Sequence, residues 1–298
     1  MASRDDLLDL IDRHPRLFVL TGAGVSTGSG IPDYRDDNGE WKRTPPVTLQ
    51  AFMASHATRQ RYWARSLVGW RWFGRAQPNA AHRALAALEA DGRIALLLTQ
   101  NVDGLHQRAG SRQVIDLHGR LDAIRCMGCG DVTPREPFQA ALVARNPAFA
   151  ALGAALAPDG DADLDGIDFS AFDVPACAGC GGILKPDVVF FGEHVPRDRV
   201  RAAMAALADA DAVLVVGSSL MVRSGLRFVE AAAAAGKPVA AINIGRTRAD
   251  DLLCVRVAEP CAPVLDALAA TGSRRSPHCD PRGSPAPAAS APPTSHAR

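Results

Sequence analysis

Two Cys-x-x-Cys pairs, Cys126-Met127-Gly128-Cys129 and Cys177-Ala178-Gly179-Cys180, carry the most specific chemistry in the sequence. The spacing suits a knuckle turn that aims two thiolates at one metal, and Gly128 and Gly179 allow its tight backbone. Four thiolates fit tetrahedral zinc and leave no open position for water or substrate, so the expected role is structural. Redox dithiols or unpaired cysteines are the alternatives. Seven cysteines in an intracellular chain read as thiols or metal ligands rather than disulfides. The long interval from Cys129 to Cys177 is expected to hold a helix, Glu136–Arg145, and a loop rich in Asp and Gly.

A second group of residues could act on a nucleotide. Gly22-Ala23-Gly24-Val25-Ser26 follows an apolar run, and Gly22 and Gly24 would let backbone N–H groups approach a diphosphate at a helix N-terminus. Thr99-Gln100-Asn101-Val102-Asp103-Gly104-Leu105-His106 follows another run, and Gln100, Asn101 and Asp103 offer donors and acceptors for an amide and a ribose. His118, in Leu117-His118-Gly119, titrates near neutral pH and can serve as a general base, although a lone histidine is more often structural. Gly217-Ser218-Ser219 and Asn243-Ile244-Gly245 end two further apolar runs. The glycines do not make a hydride-transfer fingerprint. Gly28 lies four residues after Gly24 where that pattern wants three, and no strand ending in an acid follows about 20 residues on. Gly30-Ile31-Pro32-Asp33-Tyr34-Arg35 stands there instead.

The elements that must position these groups alternate. Leu17–Leu20, Ile94–Leu98, Ala212–Val216 and Val239–Ile244 read as short buried strands. Ser3–His14, Ala80–Ala90, Asp198–Ala210 and Leu226–Ala235 read as helices, and a further helix is expected after the glycine turn. Alternation of this kind argues for a parallel α/β sheet whose strand ends share one nucleotide pocket. Residues from about Pro45 to Arg75 look like a small helical layer over the glycine-rich end, and Cys126–Cys180 like an inserted module. From Thr271 onward the chain is rich in Pro, Ser, Ala and Arg, and disorder is expected there. Cys254 is expected in the core and Cys279 to be incidental.

Lys+Arg 33 against Asp+Glu 32 gives no basic field for nucleic acid or a membrane surface. The segment Met1–Arg16 carries four aspartates and lacks the apolar stretch of a secretory signal, and a soluble cytoplasmic protein is expected. A nucleic-acid-binding zinc ribbon and an NAD-linked oxidoreductase are the competing readings. The even charge speaks against the first and the glycine spacing against the second.

Taken in order, Gly22–Ser26, Gly30–Arg35, Thr99–Asp103, His118-Gly119, the paired cysteines, Val189-Phe190-Phe191-Gly192-Glu193, Gly217–Ser219 and Asn243–Gly245 resemble the sirtuin family over roughly residues 5 to 270. Arg61-Tyr62-Trp63-Ala64-Arg65 and Leu184–Gly192 look like its class II. The resemblance implies a Rossmann-like domain over residues 1–271, with a helical module at about 45–75 and a zinc module at about 120–190, then a tail over 272–298. It implies one structural zinc and NAD as co-substrate. Acyl-lysine of a protein substrate plus NAD would give lysine, nicotinamide and O-acyl-ADP-ribose. Asn101 and Asp103 would hold the nicotinamide carboxamide, and His118 would be the base on the ribose hydroxyls. Gly22, Ala23, Gly24, Ser26 and Arg35 would lie on the diphosphate side, and Asp33 and Tyr34 would also bind the cofactor. Gln100, Val102, Gly217, Ser218, Ser219, Asn243, Ile244, Gly245 and Cys261 would complete the cofactor pocket. Val189, Phe190, Phe191, Gly192 and Glu193 would receive the substrate. Protein ADP-ribosylation, or removal of a longer or lipoyl-type acyl group, would be alternative uses of the same pocket. Tyr62 and Arg65 have the Tyr-x-x-Arg spacing that reads an acidic acyl group, but lie one helical turn too early relative to Pro78-Asn79. Ser66 and Gly69 occupy the expected places, so no strong succinyl preference is expected.

Overall fold

The computed structural model describes residues 3–42, 46–153, 162, 164 and 166–272 of the chain. The Pro-rich tail with Cys279, the start of the helical layer and most of the Asp/Gly-rich loop lie outside the described residues. In chain order the first half holds α1 (Arg4–Arg13), β1 (Leu17–Thr21), α2 (Leu49–Ala54), α3 (His56–Phe73), α4 (Ala80–Ala90), β2 (Ile94–Thr99), α5 (Leu105–Ala109) and β3 (Val114–Asp116). Then come β4 (Gly119–Cys126), β5 (Val132–Pro134), α6 (Arg135–Arg145), α7 (Pro147–Ala150), β6 (Leu184–Val188), α8 (Arg197–Asp209), β7 (Ala212–Val216), α9 (Arg223–Ala234), β8 (Val239–Ile242), β9 (Val255–Val257) and α10 (Cys261–Gly272).

Six strands form a parallel sheet in the order β3-β2-β1-β7-β8-β9. The alternation of side chains along β1 divides the core between its two faces. Leu17 and Val19 join Leu85, Leu97 and Leu265 on one side, while Phe18 and Leu20 join Leu98, Val213 and Phe228 on the other. The chain leaves β1 for β2 on one side and later returns to β7 on the other. That reversal opens a crevice at the carboxyl ends of β1 and β7, where open α/β sheets bind ligands.

A second sheet, β5-β4-β6, is antiparallel and belongs to the inserted segment. The helical layer packs chiefly on this small sheet, not over the glycine turn as expected. Trp63 and Leu67 of α3 share a cluster with Ile124, Phe138 and Leu142, because the apolar face of α3 meets those side chains. Only its last turn reaches toward the turn, through Phe73 beside Ile31. Three other expectations also shift. The helix expected after the glycine turn is a pair of 3-10 turns, Ala23–Val25 and Thr27–Ser29, ended by Gly30 at φ 81°. The strand expected to Ile244 ends at Ile242, since Asn243 donates its side chain to the Gly245 carbonyl and turns the chain. Cys254 is exposed rather than in the core, because it precedes the edge strand β9 and only Val255 and Val257 face inward.

Candidate active site

The ends of β1, β2, β7 and β8 and the residues after β3 open into one large cleft. Every nucleotide, substrate and catalytic residue nominated from the sequence lines it; the four paired cysteines do not. The glycine turn reaches this position by close packing. A Cβ on Gly22 would lie 2.7 Å from Ser218 Cβ, and one on Gly24 would lie 3.0 Å from Gly217. The N–H groups of Gly22 and Gly24 donate to the Val216 and Gly217 carbonyls, and those of Val25 and Ser26 to Gly22 and Ala23. These glycines therefore seat β1's turn against β7's turn, a different task from presenting their own N–H groups to a diphosphate. The β7 turn is itself strained. Leu220 is buried at φ 56°, a conformation that costs a non-glycine residue about 1–2 kcal/mol.

Asn101 and Asp103 meet on Ser26. Asn101 Nδ2 donates to the Gly22 carbonyl and to Ser26 Oγ, both at 3.1 Å. Ser26 Oγ in turn donates to Asp103 Oδ2 at 2.7 Å, and Leu105 N–H donates to Oδ1 at 2.9 Å. Burial raises the Asp103 carboxyl above its ordinary range despite these bonds. What Asn101 can still offer a ligand is its amide oxygen, an acceptor suited to a carboxamide N–H.

His118 follows β3 and precedes β4. Its Nδ1 lies 2.9 Å from the Gln100 carbonyl and its Nε2 lies 2.7 Å from Ser224 Oγ. A carbonyl can only accept, so Nδ1 carries the proton and Nε2 presents its lone pair to the serine hydroxyl. Burial pushes the ring's pKa down to about 4. The resting imidazole is therefore neutral, with its basic nitrogen already turned to a hydroxyl. Gly119 makes this possible. Its φ is 82°, and a Cβ there would lie 2.0 Å from the Asp187 carbonyl oxygen. Ser224 was not singled out in the sequence; it lies 106 residues from His118, in the first turn of α9, and nothing local marks it.

The loop Val189–Glu193 hangs from the same histidine, as Val189 N–H donates to the His118 carbonyl at 2.7 Å. Phe190 is buried against Phe52 and Tyr62, while Phe191 is 38% exposed. Glu193 borders the cleft but is engaged by the loop itself. Its Oε2 accepts from Phe190 N–H at 2.9 Å and from the buried Lys185 Nζ at 3.1 Å. Gln50 holds Gly192 through its carbonyl at 3.1 Å.

The segment Ile31–Lys42 spans the cleft. Arg35 lies 3.9 Å over the Trp41 ring and donates to the Gly39 carbonyl at 2.7 Å. Trp41 packs edge-on against Phe191, and Arg246 N–H donates to the Asp37 carbonyl. Asp33 pairs with Lys42, and Tyr34 meets Trp41 edge-on. One loop thus touches both the Phe191 wall and the wall that follows β8. Cys261, at the start of α10, is buried, and burial raises its thiol to about 11, so it is an inert wall group. Tyr62 and Arg65 also border the cleft. Arg65 Nε donates to the Ala162 carbonyl at 2.9 Å, and Ser66 Oγ accepts from the fully buried Arg135.

The cysteines converge at the far end of β4. Their four sulfurs lie within 4.8 Å of one another, with Cys126 and Cys180 at 3.4 Å and Cys129 and Cys177 at 3.9 Å. Zinc–sulfur bonds of about 2.3 Å in a tetrahedron place sulfurs about 3.8 Å apart, so the donor set fits zinc. The Gly128 and Cys129 N–H groups point at Cys126 Sγ, and these bonds lower the Cys126 thiol to about 6. A Cβ on Gly182 would lie 2.9 Å from the same sulfur. Seven residue steps along β4 separate Gly119 from Cys126, a span of up to about 23 Å. A metal there cannot touch the groups around His118.

Residues 22–224 match the model of the Sir2 family. An NAD-dependent protein deacetylase 2 of Bradyrhizobium diazoefficiens is 66% identical over 263 residues, covering 88% of this chain and 96% of the relative. An NAD-dependent protein deacetylase of Xanthomonas campestris pv. campestris is 68% identical over 259 residues, covering 87% and 88%. A solved structure described as Sir2 with a p53 peptide and NAD+ superposes with a TM-score of 0.73 at 28% identity, covering 91% of this chain and 99% of that one. Family match, relatives and fold agree with the geometry of the cleft: the chain belongs to the Sir2 family.

Proposed function

We propose that the chain is an NAD-dependent protein lysine deacetylase, with residues 1–271 as one catalytic unit and the zinc module as its scaffold. The observation that carries this reading is the neutral His118, whose Nε2 lone pair faces a hydroxyl between the nucleotide turns and the substrate loop. In the reaction, that nitrogen takes the proton of a ribose hydroxyl, and Ser224 yields its place or passes the proton on. Asn101 and Asp103 hold the carboxamide end, and the Ser218 and Asn243 turns border the adenosine half. Val189 to Phe191 lie beside the acyl-lysine. Zinc, when bound, cross-links the β4–β5 turn to the segment before β6 and takes no part in proton transfer.

The commitment of Arg65 to Ala162 and of Ser66 to Arg135 supports a pocket without a strong succinyl preference. Near-even charge supports a protein rather than a nucleic acid as substrate. Among the described residues no helix is long and apolar enough to cross a membrane, which agrees with a cytoplasmic location. Nicotinamide release with a panel of acyl-lysine peptides tests the whole reading. Release that requires acetyl-lysine peptide and is lost in His118→Ala supports it. Release that continues in His118→Ala, or a higher rate on succinyl-lysine than on acetyl-lysine, overturns the corresponding part.

A further inference from the structure

Behind the glycine turn and the Thr99–Asp103 loop lie two histidines that the proposed reaction does not use. His82 on α4 is 0% exposed and His106 on α5 is 1% exposed, and their ring centroids are 4.8 Å apart. Each ring has one nitrogen with a partner and one without. His82 Nδ1 accepts the backbone N–H of Asn79 at 3.3 Å, which closes the capping box of α4. The proton of the neutral ring is then on Nε2, the nitrogen that has no partner. His106 Nε2 lies 3.0 Å from Thr21 Oγ1, and the Thr21 hydroxyl gives its own proton to Thr99 Oγ1 at 2.8 Å. With its proton placed on Thr99, Thr21 accepts from His106. The His106 proton is on Nε2, and Nδ1 is a bare acceptor without a partner. Burial holds both rings neutral, His82 at about 4 and His106 well below the ordinary value. An unpaired buried polar atom costs about 1–3 kcal/mol. Here the two orphans are a donor and an acceptor on neighbouring rings.

We propose that one buried water bridges His82 Nε2–H and His106 Nδ1, and that this pair is a positioning element for the loop that carries Asn101. The bonds around it close a circuit. Asn79 Nδ2 donates to the Val25 carbonyl at 2.8 Å and to Ser29 Oγ at 3.0 Å, which grips the back of the glycine turn. From Asn79 the path runs through His82, His106, Thr21 and Thr99. Thr99 Oγ1 accepts the Asn101 N–H at 3.1 Å, and Asn101 Nδ2 returns to Gly22 in the same turn. The pair thus ties α4 and α5 to both loops at the nicotinamide end of the cleft. Its effect on catalysis rests on the reading of Asn101 given above; the bond itself does not.

Two variants separate this role from helix capping and packing. His82→Asn keeps an acceptor for the Asn79 N–H but loses the Nε2 donor. His106→Gln keeps a donor for Thr21 but loses the Nδ1 acceptor. The expected result for each is an NAD KM raised roughly five- to tenfold, the scale of one lost coupling. The acetyl-peptide KM stays within about twofold, as the substrate loop is outside the circuit, and the double variant is no worse than either single one. Nitrogen-15 NMR of the histidine side chains in the full-length wild-type chain is the second arm. Both rings should show the Nε2–H tautomer, and His82→Asn should shift the His106 Nδ1 resonance. An Nδ1–H tautomer in either ring, an unmoved His106 Nδ1 signal or additive kinetic effects would overturn the proposal. A wild-type chain that releases no nicotinamide would instead strike the deacetylase reading, and the NMR arm would still decide the bond.

Discussion

The neutral state of His118 predicts an unusual acid limb in the rate profile. The ring's pKa falls from an ordinary 6.5 to about 4 because the surrounding protein desolvates the imidazolium, and the two nearest electrostatic influences, Arg199 and Arg227, push the same way. Only the Gln100 carbonyl opposes the shift. At pH 5.5 a histidine of ordinary pKa would be about nine-tenths protonated, while one at about 4 would be about one-thirtieth protonated. The measurement is kcat/KM for nicotinamide release with an acetyl-lysine peptide from pH 4.5 to 8, with circular dichroism at each pH. The rate per folded molecule should hold near its plateau at pH 5.5 and still keep about three-quarters of it at pH 4.5. A half-maximal point at about 6.5 with the fold intact would refute the assignment of a buried neutral base. The same shift has a stability sign. Between pH 6.5 and 4 the unfolded chain binds a proton at this position and the folded chain does not, so stability is fully present above about 6.5 and drains as pH falls to about 4. The shift corresponds to about 3 kcal/mol. His82 is lowered over the same window and acts in the same direction. The melting temperature should therefore fall steadily below pH 6.5.

Three further outcomes follow from particular contacts. Gly119→Ala should abolish nicotinamide release and cost at least about 2 kcal/mol in denaturant melts, since it adds left-handed strain to a 2.0 Å approach to Asp187. Cys126→Ser should bring the zinc content, measured by elemental analysis, from one ion per chain to near zero. Hydrogen exchange should then rise in β4–β6 while β1, β2 and β7 stay protected, because the two sheets have separate cores. Glu193→Gln removes the carboxylate beside a Lys185 side chain that is 2% exposed. Because Lys185 keeps two carbonyl partners, the expected cost is about 2 kcal/mol, with a raised peptide KM and an unchanged NAD KM in steady-state kinetics.

Much of this protein was legible in one dimension because its signals are local. Zinc knuckles need two cysteines three residues apart and a glycine between them, and the sulfurs converge accordingly. Short apolar runs followed by Gly, Thr or Asn mark strands whose carboxyl ends face a ligand, and all those nominated residues reached one cleft. What the sequence could not decide is which partner each of those groups would take. The glycines of Gly22–Gly24 look like a diphosphate cradle, but their N–H groups go to β7, because only the folded sheet brings Gly217 within 3.0 Å. Glu193 looks like a substrate contact, but a buried lysine eight residues away claims it. Ser224 and Trp41 carry no motif, and His106 stands at the end of one that gives no sign of its pairing with His82. Their meaning depends on distances between residues far apart in the chain, and on burial that fixes a proton on one nitrogen rather than the other. Residue type and spacing determined the chemistry available; tertiary packing decided the protonation states and the partners.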